Sequence, residues 1–397
     1  MASASVSAHE SNAVFVGSLD GRGDHFLFYA SPPVFYSNAH LLYLSGDILM
    51  ARPFDPGKLE FTGEAVKLVD GVLRDPYFGG AAFSVSETGI LVYQQGKPFE
   101  GYGIRVFDRS GKQIAGTVEP GLYFNVRFSP DGAQIAYHSP VLQAGTMSVF
   151  VWDIKSGNHT RVSFNSHYNR SPVWSPDGRR LAFVSSEVGT QTIFVKTLNS
   201  LQLENKVSDL ASWWPVLTQW TPDGKNLLSE ESTADTRRLR IIETPLSGQA
   251  PALSLLEDPI ANVASGCVSP DGRWLAYRST ETGRSKAYVT SFPKPSGKIQ
   301  VSTSGASAPR WRGDSKELYF LDWNHQMMAA ELAESGGSLR VTSLRSLFRV
   351  RALSSLRSTH YDVSQDGNRY AVLSVSDDEI STPLNVVVNW SEELKRK

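Results

Sequence analysis

An all-β fold, a β-propeller of four-stranded antiparallel blades, is predicted by three features of this chain. A turn of the type Ser-Pro-Asp-Gly recurs at Ser129–Gly132, Ser175–Gly178, Thr221–Gly224 and Ser269–Gly272, and as Ser-Gln-Asp-Gly at Ser364–Gly367. Its pitch is nearly constant: Asp131, Asp177, Asp223, Asp271, Asp314 and Asp366 are separated by 46, 46, 48, 43 and 52 residues, a period that marks solenoids, propellers or arrays. Short runs rich in branched and aromatic residues follow the turns, as in Ile135-Ala136-Tyr137, Leu181-Ala182-Phe183-Val184 and Leu275-Ala276-Tyr277, and such runs suit strands.

Each unit can be justified in chain order. Proline presets the φ that a type I turn needs, and the glycines Gly132, Gly178, Gly224, Gly272 and Gly367 supply the positive φ that returns the chain to a strand. A second hairpin follows in most units, where a strand such as Val149-Phe150-Val151-Trp152 runs into a turn at Ser156-Gly157; Ser110-Gly111, Ser247-Gly248, Ser296-Gly297 and Gly336-Gly337 are its counterparts. A last strand, such as Thr160-Arg161-Val162-Ser163, leads to the next unit.

Degenerate copies extend the array. Asn38-Ala39-His40 precedes Leu41-Leu42-Tyr43-Leu44, and Phe83–Gly89 precedes Ile90-Leu91-Val92-Tyr93. With turns near 40, 89, 132, 178, 224, 272, 315 and 367, eight blades are expected, with seven as the alternative, in one domain over 1–397 whose ends, 1–12 and 391–397, fray. The last repeat, with Tyr370–Leu373 and Leu384–Val388, looks one strand short. The N-terminal strands Ala13–Val16 and His25–Tyr29, joined around Asp20-Gly21, are expected to complete it and close the ring.

Composition agrees with a large β domain and excludes several classes. A net charge of −1 over 397 residues leaves no global electrostatic footprint for nucleic acid. Cys267 is the single cysteine, so no intrachain disulfide forms. No window approaches the roughly 20 apolar residues of a membrane span, and Met1–Glu10 lacks the plan of a signal peptide, so the chain as written is expected in the cytoplasm, without membrane insertion, as a monomer.

The turns followed by Leu-Ala-Phe or Ile-Ala-Tyr resemble TolB-type, WD40-like propeller repeats of bacteria. Ile48–Asp55, Phe61–Glu64, Ala308–Arg312 and Val386–Trp390 also resemble the C-terminal propeller that follows the catalytic domain and membrane helix of some bacterial serine/threonine protein kinases. That resemblance implies an extracytoplasmic sensing or interaction module that binds a protein, peptide or cell-envelope ligand, here as a separated or truncated sensor. The chain itself carries no glycine-rich nucleotide loop, His-Arg-Asp loop or Asp-Phe-Gly motif.

The search for chemistry is otherwise negative. None of the Gly-Lys pairs is followed by serine or threonine, no His-Glu-x-x-His occurs, and Gly305–Pro309 has proline where a nucleophile elbow needs its second glycine. Six turn aspartates suggest calcium at first sight, yet each more simply accepts hydrogen bonds from its own turn. Asp377-Asp378-Glu379 reads as a solvated acidic loop. No catalytic residue, metal site or cofactor is expected.

Binding is expected at the channel mouth, where the loops entering the innermost strands converge. Those loops carry Tyr123, Tyr168, Arg170, Trp213, Trp214, His360 and Tyr361, an aromatic and arginine set of the kind that dominates interaction hot spots. Trp174, Trp220 and Trp311, directly before the turns, are expected to pack between blades. The alternative is a propeller enzyme of lyase or glycosidase type, which would need clustered acids or histidines on the innermost strands. Asp362 is the acid expected there, beside Asn125, Ser171, Thr218 and Ser265.

Overall fold

The computed structural model describes residues 13–17, 23–74, 80–96, 102–117, 121–141, 145–165, 167–187, 190–212, 214–232, 238–248, 250–350, 360–374 and 383–396. Residues 1–12, the Asp20-Gly21 turn, Trp213 and the Asp377–Glu379 run lie outside the described residues. Where one end-to-end array was expected, the chain divides into two compact units, 1–100 with 376–397, and 101–375. The eight repeats split between them, two and six.

The larger unit is a ring of six four-stranded blades among the described residues. Blade 1 runs through Phe124–Phe128, Gln134–Val141, Thr146–Asp153 and His159–Arg161, and blade 2 through Tyr168–Trp174, Arg180–Glu187, Thr190–Thr197 and Asn205–Leu210. Blade 3 comprises Val216–Trp220, Asn226–Ser232, Leu239–Pro245 and Leu253–Leu256; blade 4 comprises Val263–Val268, Trp274–Ser279, Lys286–Ser291 and Ile299–Gln300. Blade 5 is Arg310–Trp311, Glu317–Leu321, Gln326–Ser335 and Ser338–Arg349. Innermost strands touch in succession around the ring, and that of blade 6, Tyr361–Val363, returns to that of blade 1.

Blade 6 corrects the expected closure. Its inner strands are Tyr361–Val363 and Arg369–Ser374, but its outer strands are Gly103–Asp108 and Gln113–Gly116, not the N-terminal pair. Alternation explains the choice: Ile104 and Val106 pair with Leu373 and Ala371, and all four are buried in one cluster. Ala13–Gly17 and Asp24–Tyr29 pair only with each other among the described residues. Leu384–Val388, expected in the last repeat, instead pairs antiparallel with Ile90–Gln94. Among the described residues the ring of the larger unit therefore counts six blades where eight, or alternatively seven, were expected, because the repeats near 40 and 89 belong to the smaller unit.

In the smaller unit, Ser31–Ser37, His40–Ser45, Ile48–Asp55 and Val66–Val69 form one sheet, with Glu60–Phe61 against the end of its third strand. Phe83–Val85, Ile90–Gln94 and Leu384–Val388 form another. Leu42, Leu44, Leu49, Phe83, Leu91 and Trp390 bury together. Trp390–Arg396 is a 3-10 helix, with Trp390 buried in that core and Leu394 packed against it.

The turns behave as the sequence chemistry requires. Ser129 Oγ donates to Asp131 Oδ1 at 2.6 Å, the Ala133 N–H donates to the same oxygen at 3.0 Å, and the Gln134 N–H donates to Ser129 Oγ at 2.9 Å. The Ser129 hydroxyl, then the Ala133 N–H, hold the Asp131 carboxyl below its ordinary pKa. Asp177, Asp223, Asp271 and Asp366 repeat the hydroxyl and backbone bonds, so Oδ1 of each carboxylate is held within its own turn. Gly132 sits at φ 69°, where a side chain is strained.

Blades are joined by the tryptophans before the turns. Trp174 Nε1 donates to the Arg127 carbonyl at 3.0 Å, and Trp311 Nε1 to the Cys267 carbonyl at 2.9 Å, each reaching the preceding blade. Trp174, Trp220 and Trp311 are all buried, as packing residues should be.

Candidate binding site in the ring

Register shifts interrupt the pairing of the innermost strands in blades 1 to 4. Asn125, Ser171 and Ser265, four residues before the turn hydroxyl, hold φ of 51°, 54° and 56°, so three of these bulges share one backbone form. Beyond the bulge, the residue two before each turn reaches the channel. Arg127, Val173, Gln219, Cys267, Arg310 and Asp362, one from each blade, line a cavity of about 330 Å³ at the turn end of the ring.

The charged members of this set are engaged. Arg310 Nε donates to Asp362 Oδ1 at 2.9 Å, while Asp362 Oδ2 accepts the Phe128 N–H of the next blade at 2.8 Å. Gln219 performs the same bridging without charge, accepting the Val268 N–H at 2.6 Å and donating to the Val268 carbonyl at 3.0 Å. Arg127 Nη1 donates to the Val126 carbonyl at 3.1 Å. Burial, and then Arg310, draw the Arg127 pKa down to about 9; burial is also the largest influence on Arg310 and opposes its charge, but the attractions led by Asp362 together outweigh it and its pKa stands above the ordinary value. Burial raises the pKa of the Cys267 thiol, which suits a packed residue rather than a nucleophile.

The opposite end of the ring is where binding was expected. There Tyr168 is exposed, Arg170 is 2% exposed, and Trp214, entering the next blade, is 39% exposed with its ring 4.0 Å from Arg170 Cζ. Arg170 Nη2 donates to Gln191 Oε1 at 2.6 Å and Nη1 donates to Ser186 Oγ, both on the hairpin behind it. Burial alone lowers the Arg170 pKa, to about 10. His138 of blade 1 lies beneath: its Nδ1 accepts the Ser171 N–H at 3.4 Å and its ring stacks on Phe124 at 5.2 Å. Burial, and then Arg170, lower its pKa to about 3, so the imidazole is neutral.

The other candidates do not join this group. Tyr123 packs edge-on against Tyr137 at 5.2 Å. His360 is buried, and Tyr361 is 1% exposed, with its hydroxyl donating to the Ala308 carbonyl and, at 3.2 Å, to the Tyr319 carbonyl. Of the channel-lining set, sequence reasoning named Asp362 and passed over the other five. Their signal was available: a buried tryptophan directly before the turn sends the residue before it to the opposite side of the strand. Among the described residues, no group of three or more His, Cys, Asp or Glu side chains is placed to hold a metal ion. Nor is any helix long and apolar enough to cross a membrane.

Comparison with known proteins agrees with this architecture. A TolB from Agrobacterium tumefaciens, described as putative, superimposes with a TM-score of 0.53 at 16% identity, over 69% of this chain and 98% of that one, a likeness of fold. The Tol-Pal system protein TolB of Francisella tularensis is 25% identical over 206 residues, 39% of this chain. The chain spans 45% of the length of that relative. Tricorn protease homolog 1 of Streptomyces coelicolor is 28% identical over 183 residues, 43% of this chain and 16% of its own length. The model of the TolB beta propeller domain matches residues 87–234 and 171–346, which together exceed half of the chain. On that match and on its ring of Ser-Pro-Asp-Gly blades, the chain belongs to the TolB beta propeller domain family.

Proposed function

We propose that this chain is a non-catalytic recognition propeller that binds a protein or peptide segment at the strand-entry end of the six-bladed ring. The observation that carries the reading is Trp214, partly exposed and stacked on the buried Arg170 beside exposed Tyr168. Aromatic anchors over a buried arginine are the composition of binding hot spots. The propeller-enzyme alternative needs paired acids. Asp362 is the one carboxylate among the six channel-lining residues, and both of its oxygens already accept hydrogen bonds.

A finer reading makes the propeller the sensor of a protein kinase, facing an extracytoplasmic ligand. It rests on the resemblance of Ala308–Arg312 and Val386–Trp390 to that family, and translating the DNA upstream for kinase motifs tests it. Binding itself is tested by selecting random displayed dodecapeptides on the protein and measuring the winners against Trp214→Ala. Peptides that bind and lose at least tenfold in affinity with the variant support the site. Peptides indifferent to Trp214, or none selected, refute it.

A further inference from the structure

Arg170 differs from the buried arginine across the ring. Arg310 has its carboxylate, Asp362, at 2.9 Å. Arg170 is as buried, yet no carboxylate lies within ion-pair distance of it among the described residues, and its polar partners, Ser186 and Gln191, are both neutral. Its Nε has no hydrogen-bond partner there either, so two of the five donors of the guanidinium are engaged. A buried charge without a counter-ion is costly, and the cost is removed when an anion arrives with its own hydrogen-bond acceptors.

We propose that Arg170 is the seat of a carboxylate brought by the ligand, with Trp214 and Tyr168 packing the residues on either side of it. The inference rests on the recognition face proposed above. A carboxylate suits this seat because a guanidinium presents parallel N–H donors that it accepts in a bidentate fork. Arg170 Cζ lies 4.0 Å from the Trp214 ring and Arg170 is almost closed to solvent while Trp214 is partly open, so the incoming group reaches the guanidinium by shifting the indole. The carboxylate has two sources, an Asp or Glu side chain or a chain terminus, and they share this chemistry.

The probes are the dodecapeptides selected on the wild-type protein, each made in three forms: unmodified, with Asp and Glu replaced by Asn and Gln, and with an amidated C-terminus. Affinities are measured by isothermal titration on wild type and on Arg170→Met. A loss of tenfold or more on wild type when one kind of carboxylate is neutralised, and less than twofold on Arg170→Met, supports the seat; the form that loses affinity identifies the source. Arg170→Met should fold with a thermal midpoint at or above wild type, since it removes an uncompensated buried charge. The neutralised peptides on wild type need no variant, so the test survives if Arg170→Met is unstable. Peptides that need Trp214 but bind within twofold after both neutralisations overturn the seat and leave the recognition face standing. Failure to select any Trp214-dependent peptide overturns both.

Discussion

Arg109 Nη2 lies 2.6 Å from Glu317 Oε1, joining two residues 208 positions apart across the closure of the ring. Arg109 sits in the turn between the two outer strands of blade 6, and Glu317 opens the second strand of blade 5. The Glu317 carboxylate is fully buried and also accepts from Arg345 at 2.8 Å, Arg312 at 2.7 Å and the Tyr319 hydroxyl at 2.6 Å. Burial opposes its charge, but Arg109 and Tyr319 outweigh burial and its pKa stands below the ordinary value. The hairpin that closes the ring is thus held by charge as well as by the Ile104 and Val106 pairing.

Glu317→Gln should therefore destabilise the protein by about 2 kcal/mol, because it removes the buried carboxylate on which three partly exposed arginines converge. Lys206→Ala, which breaks the exposed pair with Asp209, should cost about 0.5 kcal/mol or less. Urea unfolding of the two variants checks this. Equal losses would remove the special role given to the closure.

The inter-blade tryptophans should not be equivalent. Trp311→Phe removes the bond to the Cys267 carbonyl and should cost about 1 kcal/mol beyond its lost packing. Trp220 Nε1 is buried without a partner among the described residues, so Trp220→Phe forfeits no such bond and should be the milder change. Thermal unfolding midpoints of the pair decide the order.

His138 predicts an acid sensitivity. Its folded pKa is about 3 against an ordinary 6.5, so between those values the unfolded chain binds the proton and the folded chain does not. Stability from this residue is present above pH 6.5 and is lost as pH falls toward 3, at about 1.4 kcal/mol per pH unit. Unfolding free energies at pH 7 and pH 5 should fall by about 2 kcal/mol more in wild type than in His138→Gln. A parallel fall in both proteins would show that His138 accepts its proton in the folded state.

Glycine at the turns should tolerate alanine unequally. At Gly224, φ is 73° and an added Cβ meets nothing within 4 Å, so Gly224→Ala should cost about 1 kcal/mol from the backbone alone. At Gly132 the added Cβ meets Arg369 Nη2, whose neighbouring Nη1 donates to the Gly132 carbonyl at 2.7 Å. Gly132→Ala should cost clearly more than Gly224→Ala in the same urea experiment.

Much of this molecule is written locally. The Ser129, Asp131 and Gly132 turn uses side chains within a few residues of one another, so its form and its recurrence could be read from the chain. The burial of Trp174, Trp220 and Trp311 followed from the same reading. The candidate site was legible in part: Tyr168, Arg170 and Trp214 were named from loop position, but so were Tyr123 and Tyr361, which pack inward.

What the tertiary structure alone decided are the pairings between distant segments. Gly103–Asp108 competes with Ala13–Gly17 and Leu384–Val388 as a short apolar strand, and local propensity does not rank them. Side-chain burial at Ile104 and Val106 against Ala371 and Leu373 does, because register moves a whole set of side chains to one face or the other. The same holds for Arg170 and Trp214, which sit on neighbouring blades and meet only because the ring brings the two strand entries together. Turn chemistry acts over a few residues and so determined the blade; strand pairing and burial act over hundreds, and so chose the six blades of the ring among the described residues and brought its candidate site residues together.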